Sequence, residues 1–95
     1  MSSPSVSSVK FQLGRVVITP NALSQLTDED ILPRLQRHHA GDWGDVDDHD
    51  RQANDLALIE GNRLLSSYRS RAGICFWIIT EADRSVTTIL LPEDY

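Results

Sequence analysis

The sequence has a single cysteine, Cys75, which excludes an intramolecular disulfide framework and a cysteine-based zinc cage. It has no apolar run approaching the roughly 20 residues that span a bilayer. Its start, Met1-Ser2-Ser3-Pro4-Ser5-Val6-Ser7-Ser8, lacks the basic residues and apolar stretch of a secretory signal, so a cytoplasmic location is expected. There is no internal repeat and no second low-complexity segment beyond that Ser-rich start. A basic excess is missing as well, since the formal net charge is -5. Nucleic-acid binders take their affinity from neutralised phosphates, so direct binding to nucleic acid is not expected.

What is present fits one small folded domain. Ninety-five residues build a single core, and 40% hydrophobic with 24% charged residues is ordinary for a globular protein. The charge is unevenly spread. Residues 1–27 carry Lys10 and Arg15 and no acid, whereas residues 28–50 carry eight acids against Arg34 and Arg37. Such a negative field suits a basic protein partner or a metal ion better than DNA, with a solvated acidic surface as its ordinary use.

The Ser-rich residues 1–8 read as a disordered tail and residues 9–95 as one α+β domain. Phe11 to Thr19 is rich in β-branched residues and reads as a strand with a bulge or bend at Gly14, ended by Pro20. Asn21 to Leu26 gives one or two helical turns. Thr27 and Asp30 form a capping arrangement for the next helix. Pro33 is tolerated only in a first turn, which moves the expected start toward Asp30. Ile31 and Leu35 recur at helical spacing, His39 continues that face, and Gly41 stops the helix. A further helix is capped by Asp47 or Asp48 and closed by Gly61, with Ala53, Leu56, Ala57 and Glu60 on one stripe and Leu58 and Ile59 widening it.

Three strands follow, Arg63 to Arg69, Ile74 to Thr80 and Ser85 to Leu91. The expected fold is a strand, two to three helices, then a three-stranded antiparallel meander, with the helices on one face of a four-stranded sheet. In the middle strand Ile74/Phe76/Ile78 and Cys75/Trp77/Ile79 are both apolar, so both sheet faces need cover. A symmetric homodimer near Trp77 would supply it, as would the N-terminal strand and the Trp43 loop folded over the open face.

Three stretches carry a resemblance. Arg37-His38-His39-Ala40-Gly41-Asp42-Trp43-Gly44, Gly61-Asn62-Arg63-Leu64-Leu65-Ser66-Ser67-Tyr68 and the run from Trp77 to Pro92 are similar to short bacterial proteins labelled "plasmid-related protein" or "type I restriction endonuclease subunit M". The resemblance covers almost the whole chain beyond the tail. It implies a setting on mobile or accessory DNA and brings no activity with it. The restriction-subunit label finds no support in the residues, because a methyltransferase subunit needs a cofactor-binding α/β domain with a glycine-rich βα turn.

Candidate sites are few. A calcium loop starting at Asp45 would place His49 at position five, Asp50 at the glycine position and Leu56 at position twelve, and the pattern fails. An adventitious metal site at Asp47, His49 or Asp50 is weighed against helix capping and solvated surface, and no metal or other cofactor is expected. Adjacent histidines on a helix project about 100° apart, so one of His38 and His39 should face the sheet and the other solvent. Cys75 has no activating base beside it and reads as inert. Trp43 either plugs the helix–sheet core or anchors an interface.

Two functions compete. The favoured one is a non-enzymatic module that binds a protein partner through Asp42, Trp43, Asp45, Asp47, Asp48 and Asp50, as an inhibitor of a host nucleic-acid-handling or defence system would. The alternative is a small metal-independent ribonuclease like the barnase, EndoU, colicin and RelE-like enzymes. There His38 would take the 2′-hydroxyl proton, Arg69 or Arg84 would stabilise the phosphorane, and Thr80, Thr87 and Tyr95 would position the phosphate.

Overall fold

The computed structural model describes residues 9–95; the tail expected at residues 1–8 lies outside the described residues. Strand β1 (Arg15–Ile18) is followed by helices α1 (Pro20–Gln25), α2 (Asp28–His39) and α3 (Asp48–Glu60), then by β2 (Leu64–Arg69), β3 (Cys75–Thr80) and β4 (Val86–Leu90). A short 3-10 turn spans Pro92–Asp94. The four strands form one sheet in the order β1-β4-β3-β2. The meander is antiparallel throughout, and β1 adds to its edge parallel to β4. The fold is the α+β arrangement that the order of strand, helices and meander implies.

Local chemistry sets the helix ends. Thr19 and Thr27 accept hydrogen bonds from the first turns of α1 and α2, and Asp30 returns the bond to the Thr27 N–H in a full capping box. Asp47 caps α3, and Gly61 ends it in the left-handed conformation that glycine adopts without strain. Two expectations need correction. Pro33 lies at the sixth position of α2, well inside the helix, so the capping box and not the proline fixes the start at Asp28. The strand expected from Phe11 is only β1, Arg15–Ile18, so Gly14, at φ 66°, lies before it and not inside it, and a β-carbon there would collide with the Ser85 carbonyl.

The strand alternation divides the sheet into two faces. Leu64, Ser66, Tyr68, Phe76, Ile78, Thr80, Thr87 and Ile89 are buried and share one face by register. Ala22, Leu26 and Ile31 complete the main core there, with Leu35 packed against it. A second cluster joins Trp43, Ala57 and Leu64 and draws α3 in beside β2.

The outer edge of β2 is closed by two devices. The Trp43 carbonyl accepts from Ser67 N–H at 3.0 Å, and Asp45 N–H donates to the Ser67 carbonyl at 2.7 Å. Beyond it, the Asn54 carboxamide donates to the Leu65 carbonyl at 2.7 Å and accepts from its N–H at 3.1 Å, standing in for a strand peptide. A paired edge cannot recruit a foreign strand.

The helix stripe expected on α3 is displaced. Asn54 and Ala57 are the buried residues, while Leu56 is 52% and Ile59 83% exposed. The need of the Leu65 peptide for a polar partner turns the helix so that Asn54 faces inward. On the other sheet face, neither the N-terminal strand nor the Trp43 loop provides cover. Instead the Tyr95 ring packs edge-on against Trp77, 5.7 Å between centroids; Ile79 and Leu90 are buried there, and Leu65, Trp77 and Val86 stay half-buried.

Candidate functional site

Along α2, Ile31, Leu35 and His38 fall on one side at spacings of four and three. His38, not His39, continues the inward face. Its ring is fully buried, with Nδ1 2.5 Å from Ser66 Oγ and Nε2 2.8 Å from Thr80 Oγ1. Thr80 Oγ1 lies 2.7 Å from Thr87 Oγ1, and the Thr87 hydroxyl donates to the Leu13 carbonyl at 2.6 Å.

The last acceptor orders the whole chain. A carbonyl can only accept, so Thr87 donates to it and accepts from Thr80. Thr80 therefore accepts from the His38 Nε2–H, and in a neutral ring this leaves Nδ1 to accept from the Ser66 hydroxyl. His38 is the neutral Nε2–H tautomer. Burial, reinforced by the charges of His39 and Arg84, pushes its pKa down to about 3.

A hydroxyl donating to an imidazole is the geometry of an activated nucleophile. Here Ser66, His38, Thr80 and Thr87 are all fully buried, and the chain ends on a backbone carbonyl. Among the described residues no buried side-chain polar atom lacks a partner. Every hydrogen of the chain is already donated within it and all four side chains are shut off from solvent, so the arrangement holds α2 against the sheet and ties residue 13 to β4.

The other residues of the nuclease constellation do not join it. Arg84 approaches the far side of Phe11, 5.8 Å from the ring, but its guanidinium donates to the carbonyls of Asn62 (2.6 Å), Glu81 and Ala57 (both 3.2 Å) and so closes the end of α3. Arg69 is exposed and bonds the Gly73 carbonyl across the β2–β3 turn. Tyr95 sits at Trp77 with its hydroxyl against Arg63. Ser66 and Phe11 are the members of the cluster that the sequence did not single out. Alternation along β2 places Ser66 on the buried face, and that is the signal that would have found it.

The acidic set is spread over a loop and a helix start. Asp42 pairs with Arg37 at 2.9 Å, which holds its carboxyl below the usual range, and it also accepts from Gly44 N–H. Asp47 is spent on the α3 cap. Asp45, Asp48 and Asp50 are exposed, and the nearest cation to Asp48 is Arg51 at 3.9 Å. Trp43 leaves the partner-binding set: it is 1% exposed, its indole N–H donates to Asp55 at 3.0 Å, and the Tyr68 hydroxyl donates to the neighbouring Asp42 carbonyl. The tryptophan is the plug of the second cluster. Gly44, at φ 76°, lets the loop pass against Ser67 and the Tyr68 ring, where any side chain would collide.

Among the described residues no three His, Cys, Asp or Glu side chains converge as metal ligands, and no helix is long and apolar enough to cross a membrane. Comparison with protein-family models, with curated proteins and with solved structures gave no match.

Proposed function

We propose that this protein is a small acidic interaction module that binds a basic protein surface and carries out no catalysis. The observation that carries this is the contrast between two sets of polar side chains. The histidine chain is closed on itself, whereas Asp45, Asp48 and Asp50 stand in solvent around the start of α3. Exposed carboxylates on a rigid helix start attract cationic surfaces and steer their approach. The resemblance to plasmid-related proteins supplies the setting: a cytoplasmic product of accessory DNA whose partner is a host nucleic-acid-handling or defence protein, recognised through the surface that otherwise meets phosphates. Association with a second copy through the half-buried face at Trp77 belongs to the same proposal.

The test pairs two assays. Expression in bacteria is expected to be harmless, and the purified protein is expected to leave RNA intact. RNA cleavage abolished by His38→Ala would sink the proposal in favour of the ribonuclease. Affinity capture from host lysate is expected to enrich basic nucleic-acid-binding proteins, and to lose them when Asp45, Asp48 and Asp50 become asparagine.

A further inference from the structure

The segment 9–13 has no regular secondary structure and lies over the histidine chain. Phe11 meets His38 edge-on at 5.2 Å between centroids, meets His39 at 5.7 Å and stacks on Trp43 at 6.1 Å. The ring is itself only half-buried, yet His38 behind it is fully buried, so Phe11 is part of what keeps water from the imidazole. Two hydrogen bonds anchor the segment: Lys10 N–H to the His39 carbonyl at 3.0 Å, and the Thr87 hydroxyl to the Leu13 carbonyl at 2.6 Å. Gly14 follows in a left-handed conformation and joins the segment to β1.

We propose that residues 9–13 are a strap that seats only over a neutral His38, so that mild acid lifts the strap while the sheet stays folded. The hydrogen-bond chain that ends on Leu13 puts a proton on His38 Nε2, so in the neutral ring Nδ1 carries the lone pair that accepts from the Ser66 hydroxyl. A proton on Nδ1 turns that acceptor into a donor and leaves a charge in the core. Among the described residues no acid acts on the ring to offset it. The sheet contributes the neutral hydroxyls of Ser66, Thr80 and Thr87, the strap contributes Phe11, and the loop contributes Trp43. The charged groups that act on the ring are His39 on its own helix and Arg84 from the β3–β4 turn, and both disfavour a second cation.

Water must therefore reach a protonated imidazole. Lifting the strap sacrifices one aromatic contact set and two hydrogen bonds, while exposing the ring by unfolding would sacrifice the whole core. Local opening is the smaller disruption. It uncovers the slot between His39, Trp43 and Arg84 that Phe11 fills.

NMR on the full chain tests this, with amide exchange and the His38 ring followed from about pH 7.5 to about pH 4.5. The expected result is that His38 titrates, and that protection of the Lys10 amide falls, while the Ile78 amide in β3 stays protected. Phe11→Leu is expected to move the pH at which His38 titrates up toward the ordinary 6.5. The same variant should speed Lys10 exchange at neutral pH by at least about tenfold, with Ile78 protection reporting that the fold is intact. His38→Gln is expected to remove the pH dependence of Lys10 protection. Lys10 protection that does not change with pH in the wild type would overturn the proposal. So would a His38 that titrates only as Ile78 protection is lost.

Discussion

An imidazole with both nitrogens bonded to hydroxyls and no carboxylate in reach is held in one tautomer and one charge state. For His38 this links stability to pH with a definite sign. Its folded pKa of about 3 lies below the ordinary 6.5, so acid favours the unfolded chain. Stability from this residue is complete above pH 6.5 and drains away as pH falls from 6.5 toward 3, by about 1.4 kcal/mol per pH unit. Strap release sets the lower end of that window, since an uncovered ring regains its ordinary value. Denaturant unfolding at about pH 7.5 and about pH 5.5 should differ by about 1.4 kcal/mol in the wild type. His38→Gln should lose that difference. Asp30, Asp42 and Asp94 have lowered pKa values and act with the opposite proton balance, contributing stability that is lost only as pH falls through the lower carboxylate range. Arg84 makes a second test at this scale. It is the non-glycine residue with positive φ, 61°, among those described, and its guanidinium serves three carbonyls. Arg84→Ala and Arg84→Gly should both destabilise, by about 1–3 kcal/mol, because those carbonyls lose their donor. The glycine variant should retain about 1 kcal/mol more than alanine, since glycine adopts the left-handed conformation freely. Thermal unfolding of the two variants side by side decides it.

At the scale of elements, what could be read from the sequence is what local chemistry decides. Thr27, Asp47 and Gly61 announce helix ends because capping involves residues a few positions apart. The meander is legible from alternation and from turns at Gly73 and Asp83. The parallel pairing of β1 with β4 is not, because it joins residues about 70 positions apart, as in Arg15 with Val86. His39 is the expected inward residue and His38 the observed one, because spacings of three and four from Leu35 are both helical and only packing against the sheet chooses between them. The face of α3 was misjudged because apolarity was counted and the polar need of an edge strand was not. Asn54 answers that need. Asn54→Ala leaves the Leu65 N–H and C=O without their partner and should cost about 2 kcal/mol by denaturant unfolding. Leu56→Ala on the exposed side of the same helix should cost under about 0.5 kcal/mol. Comparable losses at the two positions would contradict the placement of α3.

Across the whole molecule two surfaces carry the proposed associations, the sheet face at Trp77 and the acids around the start of α3. The sheet face at Trp77 carries buried Ile79 and Leu90 and half-buried Leu65 and Val86, with the Tyr95 ring against Trp77. The proposed second copy would bury that face, so sedimentation equilibrium at micromolar concentration should give about twice 10.7 kDa. Leu65→Lys should return it to the monomer, and a wild-type mass of 10.7 kDa would remove the dimer. The acidic arc answers to a different measurement, the affinity of a captured basic partner as a function of salt. Exposed carboxylates meeting a cationic surface are screened, with a Debye length of about 10 Å at 0.1 M salt. Affinity is therefore predicted to fall as salt rises, and to fall again, with a flatter salt dependence, when Asp45, Asp48 and Asp50 are changed to asparagine. An affinity indifferent to salt and unchanged in that triple variant would contradict the assignment of this surface.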